Sequence, residues 1–198
     1  EKGPLSVARY SLAATGNVSF GYFGGGDQLS IVDRIDYSND TATASPKGPF
    51  SLARRYLAAT GNASFGYHGG GTSNSAGGPP GTVSSVDRID YSNDTATASP
   101  KGPLSSARAY VAATGNADFG YFGGGGPSLF STVDRIDYTN DTATAVAKGP
   151  LSLARKELGA ASARANGFVP IGPSVVSNAT AVAGSFNPTQ FGYFGGNG

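Results

Sequence analysis

The chain contains no cysteine, no methionine and no tryptophan. Without cysteine there is no disulfide framework, no thiolate metal site and no cysteine nucleophile. Charge is scarce and balanced: 14 Lys+Arg stand against 13 Asp+Glu, for a formal net charge of +1. That leaves no basic face for nucleic acid and no polybasic anchor for a membrane. Apolar runs last only a few residues, so none spans a bilayer and none reads as a signal peptide. There is one histidine, His68. The first residue, Glu1, falls inside a repeat unit and no initiator methionine precedes it, which suggests a processed or partial chain.

What the chain does have is glycine, proline and aromatics. Gly 31 and Pro 12 in 198 residues approach the level at which disorder becomes a serious reading. Tyr 10 and Phe 11 argue against it, because disordered tails lack such a core. Hydrophobic residues make up 38%, which is low for a helical globule. The glycines therefore read as positional.

One unit appears three times. It runs "KGPLSVARYSLAATGNVSFGYFGGG" from Lys2 and then "IVDRIDYSNDTATASP" from Ile31, and it returns from Lys47 and Lys101. Its arginine recurs as Arg9, Arg54, Arg108 and Arg155, a period that indicates propeller blades or other stacked repeats. The second unit is longer by a Gly/Ser/Pro stretch after Tyr67, where a loop insertion belongs. Four short strands are expected per unit: an alternating strand from Arg9 to Thr15, an aromatic strand at 20–23, "IVDRIDY", and "TATAS" closed by a proline. "GN" and "SND" mark the turns between them. The stretch at 151–165 has some helical periodicity, but its alignment with the other units favours strand. The expectation is an all-β propeller or propeller-like repeat array of about four four-stranded blades, the last degenerate. It forms a single repeat domain over 1–198, with units at 2–46, 47–100, 101–147 and 148–198. Phe20, Tyr22, Phe23, Phe65, Tyr67, Phe119, Tyr121 and Phe122 are expected to pack between blades. The glycines after them would permit close backbone approach.

An Arg-led strand, a Gly-Tyr-x-Gly-Gly strand and an Asp-containing third strand together resemble the kelch repeat. The resemblance covers 2–148 well and 149–198 loosely. In two places the sequence departs from it. Asp36 follows Ile35 rather than a tyrosine, and the place of the kelch tryptophan falls at Ala42, Ala96 and Ala143. Lighter packing between blades is therefore expected. The near-identity of the units also resembles kelch-like arrays of phage and environmental origin, which implies a virion-surface or extracellular setting. At the end of the chain "FGYFGG" returns once more, carrying Phe191, Tyr193 and Phe194, without a following "VDRIDY". Such a surplus strand is available to complete a sheet, and we expect it to be an assembly strand.

Candidate chemistry is sparse. Asp36, Asn39 and Asp40, with Asp90, Asn93, Asp94 and Asp137, Asn140, Asp141, offer oxygen ligands for Ca²⁺, but the spacing lacks the ligand count of a calcium loop. Side-chain-capped turns explain the same residues better. The pairs Arg34/Asp36 and Arg88/Asp90 share a strand face and read as inter-strand ion pairs. His68 stands where the sister units have Phe23 and Phe122, with no motif-placed partners for catalysis. The triglycines lack the Gly-Lys-Ser/Thr of a phosphate cradle. Asn17, Asn39, Asn62, Asn93, Asn140 and Asn178 head Asn-x-Ser/Thr sequons, which mark glycan acceptors in a secreted eukaryotic protein and common turn residues otherwise.

These readings point away from an enzyme, with no cofactor and no metal. The expected function is that of a structural repeat protein that self-associates head to tail, as a fibre or virion component. Its partner would be itself, with neither nucleic acid nor membrane. The alternative is a propeller module whose loops bind surface glycans or a protein.

Overall fold

The computed structural model describes residues 1–74 and 81–162. The fold is all-β, and among the described residues the only helical turn is a 3-10 turn at Tyr138–Asn140. Three four-stranded antiparallel sheets follow one another along the chain. The first orders its strands β1 (Ala13–Gly16), β2 (Phe20–Gly24), β3 (Val32–Asp36) and β4 (Ser45–Lys47). In the second unit come β5 (Ala58–Gly61), β6 (Phe65–Gly69), a small β7–β8 ribbon (Thr72–Ser73, Gly81–Thr82), β9 (Val86–Asp90) and β10 (Ser99–Lys101). The third sheet holds β11 (Ala112–Gly115), β12 (Phe119–Gly123), β13 (Val133–Asp137) and β14 (Val146–Lys148). Thus the inserted stretch of the second unit carries a two-stranded ribbon beside its sheet.

Register repeats as faithfully as sequence. Ala14 lies opposite Phe23, Ala59 opposite His68 and Ala113 opposite Phe122. The first strands are innermost, with β1 beside β5 and β5 beside β11. Apolar burial concentrates between sheets rather than within one. Tyr22 and Val32 of the first unit cluster with Phe50, Leu57 and Ile89 of the second. Likewise Tyr67 and Val86 of the second join Leu104, Phe122 and Ile136 of the third. Neither sheet could bury these faces alone, so the units depend on one another. The described residues do not show a closed ring.

Two expected strands are placed differently. The first begins at Ala13 rather than Arg9, because Ser11 takes φ 57, as Tyr56 and Tyr110 do at φ 59 and φ 57. A left-handed residue cannot continue an extended strand, and it turns the preceding arginine back over its own sheet. The fourth strand is not "TATAS" but Ser45–Lys47, with Pro46 inside it, paired opposite Asp33. Proline is tolerated there because β4 is an edge strand and lacks a neighbour on its outer side. "TATA" instead forms a tight turn against which the "KGP" of the same unit is strapped. Gly3 donates to the Asp40 carbonyl at 2.8 Å and Ala44 to the Pro4 carbonyl at 2.9 Å. A Cβ on Gly3, Gly48 or Gly102 would collide with the carbonyl of Ala42, Ala96 or Ala143. At these three positions backbone is packed directly on glycine. Residues 151–162 form no helix, and among them Arg155 makes a single bridge to Phe130. No helix among the described residues is long and apolar enough to cross a membrane.

Candidate assembly interface

Each unit is first stitched to itself. The turn at Ser11 sends the Arg9 guanidinium to Asp33 at 2.7 Å, the Gly25 carbonyl at 2.8 Å and the Phe23 carbonyl at 2.9 Å. Arg54 reaches Asp87 at 2.9 Å and Arg108 reaches Asp134 at 2.6 Å. In all three pairs both side chains are fully buried. Ser6, Ser51 and Ser105 each donate a hydroxyl at 2.6 Å to the same aspartates. Burial raises the Asp87 carboxyl and lowers the Arg54 guanidinium, each against the attraction of the other charge. Desolvation therefore competes with pairing, and such a cluster fixes a geometry more than it adds net stability.

The glycine runs then join one unit to the next. Gly25 and Gly26 take φ 68 and φ 88, Gly70 and Gly71 take φ 69 and φ 107, and Gly124 and Gly125 take φ 68 and φ 113. Two successive left-handed residues favour glycine. The resulting turn aims one N–H at the arginine carbonyl of the following unit. Gly26 donates to Arg54, Gly71 to Arg108 and Gly125 to Arg155, each at 2.9 Å. A parallel ladder links the left-handed residues themselves, from Tyr56 N–H to the Ser11 carbonyl, Tyr110 to Tyr56 and Glu157 to Tyr110. So the glycines serve the joint between neighbours.

A second contact lies further out. Asp94 of the second unit accepts from Arg34 at 2.7 Å and Tyr22 at 2.9 Å of the first, with the Lys47 ammonium at 3.5 Å. Asp141 of the third unit accepts from Arg88 at 2.6 Å and Tyr67 at 2.8 Å, with Lys101 at 3.2 Å. Burial works against the Asp141 charge, yet the hydrogen bonds of Tyr67 and Lys101 and the charge of Arg88 hold its carboxyl below the ordinary value. Burial, and then Asp94 or Asp141, raises the Tyr22 and Tyr67 hydroxyls. Tyr91 stacks on Tyr22 at 4.7 Å and Tyr138 on Tyr67 at 4.6 Å. Arg34 and Arg88 are therefore not partners of Asp36 and Asp90, because their guanidiniums cross to the next unit. Asp36 and Asp90 instead accept from Ser38 and Ser92 and close their turns. Among the described residues no three acidic or histidine side chains converge as a metal site would require.

The aromatic strands divide into three environments. Tyr22, Tyr67 and Phe122 are fully buried. Phe20, Phe65 and Phe119 are half-buried, each under a guanidinium: Arg34 at 4.2 Å, Arg88 at 4.3 Å and Arg135 at 4.3 Å. Phe23 and Tyr121, at the outer faces of the first and third sheets, are also half-buried. His68 is fully buried, its ring 4.7 Å from that of Phe50 and beside Gly24. Burial and then the Arg54 charge push it down to about 3, so it packs as a neutral aromatic. Asn17 and Asn62 use their side-chain oxygens to cap the β1–β2 and β5–β6 hairpins. Asn39, Asn93 and Asn140 are exposed in their turns. Asn178, Phe191, Tyr193 and Phe194 lie outside the described residues.

Both ends of the described array carry half of the outer contact. Asp40, in the place of Asp94 and Asp141, holds only Lys2 at 2.9 Å, and Tyr37 beside it is 53% exposed. At the other end Tyr121 and Arg135 occupy the places of Tyr22 and Arg34, and among the described residues no carboxylate reaches either. Sequence reasoning passed over Asp33, Asp87 and Asp134 altogether. The available signal was that each complete unit keeps both this aspartate and the arginine, whereas the chain after Glu157 has no acidic residue at all.

No protein family and no curated protein matches the sequence. The fold is similar to the solved structure of YjhT, with a TM-score of 0.65 and 10% sequence identity, over 76% of this chain. The match spans 52% of that chain, so this protein covers about half its length.

Proposed function

We propose that the chain is a kelch-like, propeller-type structural repeat protein that associates head to tail with copies of itself. The observation that carries this reading is the pair of unmatched half-contacts. Asp40 at one end has the chemistry that Tyr121, Arg135 and Lys148 lack at the other, and the two internal joints supply the template. Opposite charge and stacked tyrosines make the two different end faces complementary to each other, and heterologous contacts of this type propagate or close according to their rotation. Low net charge leaves little repulsion between copies. The buried arginines, buried aspartates and neutral His68 are all engaged in packing, so the reading assigns none of them a catalytic role. An extracellular or virion-surface setting belongs to the same proposal.

The test is particle mass by analytical ultracentrifugation, with shape from negative-stain microscopy. Wild type should associate, Asp40→Arg should remain monomeric, and Asp40→Arg with Arg135→Asp should recover association. A monomeric wild type across micromolar concentrations would overturn the proposal.

A different observation supports a second reading, a glycan-binding module. Tyr10, Arg55, Tyr56, Tyr110 and Lys156 gather near the inner strands. Arg55 donates to the Tyr10 hydroxyl at 3.0 Å, and the Tyr56 and Tyr110 rings lie 4.2 Å apart. Aromatic faces beside cations suit the stacking of a sugar ring. Glycan-array binding lost on Tyr10→Ala, with particle mass unchanged, would favour this reading.

A further inference from the structure

The joint between the first and second sheets and the joint between the second and third carry the same charged groups. Arg54 and Asp87 match Arg108 and Asp134, and Arg34, Lys47 and Asp94 match Arg88, Lys101 and Asp141. They differ in the ring that closes them. At the second joint the Phe122 ring packs on Gly69, and at the first the His68 ring takes that place on Gly24. His68 is fully buried, with the Phe50 ring 4.7 Å away, and neither of its nitrogens has a hydrogen-bond partner. The Ala13 backbone favours a charged ring, but burial and the Arg54 charge outweigh it. From its own sheet, Arg54 donates to the His68 carbonyl at 2.9 Å and is paired with Asp87, which lies opposite His68 on β9. From the first sheet, Tyr22, Arg34 and Lys47 share the face of Gly24, and all three turn to Asp94. Asp33, opposite Phe23 in register, faces the other way with its partner Arg9. A protonated imidazole would therefore place two N–H donors in a dry contact, beside a guanidinium and without a free acceptor.

We propose that His68 is an acid-sensitive latch: protonation of its ring opens the joint between the first and second units while the joint between the second and third stays closed. In a stack of repeats each unit rests on its neighbours, so one joint can open without the rest unfolding. Opening lets water reach the imidazole, which returns it to the ordinary value near 6.5 from about 3 in the closed joint. The value is depressed in the closed form, so the latch holds fully above pH 6.5 and weakens as pH falls toward 3. Between pH 7 and pH 5 the open population of the first joint should rise about 25-fold. The aspartates, arginines and lysines recur at both joints, so their own titration does not distinguish the two. The latch deepens the assembly reading and rests on it for one consequence. The first unit carries Asp40, so opening its joint displaces the face that meets a second copy, and association should weaken in acid.

Native-state hydrogen exchange in the full chain reads each joint through matched amides. Gly26 donates to the Arg54 carbonyl and Tyr56 to the Ser11 carbonyl across the first joint. Gly71 donates to Arg108 and Tyr110 to Tyr56 across the second. Corrected for the intrinsic pH dependence of exchange, opening at Gly26 and Tyr56 should rise about 25-fold from pH 7 to pH 5, and opening at Gly71 and Tyr110 by less than about 3-fold. His68→Phe, which installs the ring of the second joint, should remove the difference between the two. An equal rise at both joints, no rise at the first, or a rise that persists in His68→Phe would each overturn the proposal. Should that variant fail to fold, the comparison of the two joints in the unmodified chain decides. Particle mass at pH 7 and pH 5 is read separately. A chain that is monomeric at both, with the expected exchange, would disprove head-to-tail assembly and uphold the latch.

Discussion

The joint between the second and third sheets and the joint between the third sheet and residues 151–162 share one backbone pattern and differ in side chains. At both, a glycine N–H donates at 2.9 Å to an arginine carbonyl, and a left-handed residue donates to the one before it. At the first, Asp141 gathers Arg88, Tyr67 and Lys101, and the third unit's own Arg108 is buried on Asp134. At the second no carboxylate among the described residues takes the place of Asp141, and the Arg155 side chain has the Ser152 hydroxyl at 3.5 Å and the Leu153 carbonyl at 3.3 Å. The lesson is a division of labour. Backbone bonds set where a unit sits, and buried charge clusters make that placement unique.

The largest expected effect breaks the comparison from within the third unit. Asp134→Ala leaves Arg108 buried without its partner and should cost about 3–5 kcal/mol in urea unfolding. Arg155→Ala, the same position in the fourth unit but exposed, should cost no more than about 0.5 kcal/mol. Equal losses would mean that the buried pair contributes nothing the exposed arginine lacks.

A smaller effect is expected at the outer contact. Asp141→Ala removes the acceptor of three groups and should cost about 1–3 kcal/mol, seen as a lower denaturation midpoint. No change would show that Tyr67 and Arg88 are satisfied by water.

His68 sharpens the comparison by pH. Its folded value of about 3 lies below the ordinary imidazole value of 6.5, so the unfolded chain binds the extra proton between them. Its stabilising contribution is complete above pH 6.5 and declines as pH falls toward 3, at a limiting slope of about 1.4 kcal/mol per unit. His68→Phe installs the residue of the sister units and should remove that slope. Melting temperatures of the two proteins should diverge from pH 6 to pH 4, and parallel curves would contradict a buried neutral imidazole.

The smallest effect on stability belongs to Asp40→Ala. Its pairing with Lys2 is largely exposed, so the monomer should lose no more than about 0.5 kcal/mol, although association should fall. A large loss of stability would mean that Asp40 already has a buried partner within its own chain.

Sequence by itself determined the repeat, the all-β class and the aromatic and "VDRID" strands, because period-2 alternation and turn residues are local signals. It also marked "DYSND" as a capped turn, which Asp36 and Ser38 form. It misplaced the first and fourth strands, because a left-handed Ser11 and an edge-strand Pro46 are licensed by neighbours that no local pattern encodes. Arg34 looked like the partner of Asp36 two residues away, and only the stacking of one sheet on the next reveals Asp94 beside it. The burial of Arg9 on Asp33, the use of the glycines as donors to the following unit, and the unmatched Asp40 and Arg135 faces were likewise decided by tertiary structure. Each depends on residues far apart in the chain, brought together when a sheet buries its apolar face on its neighbour.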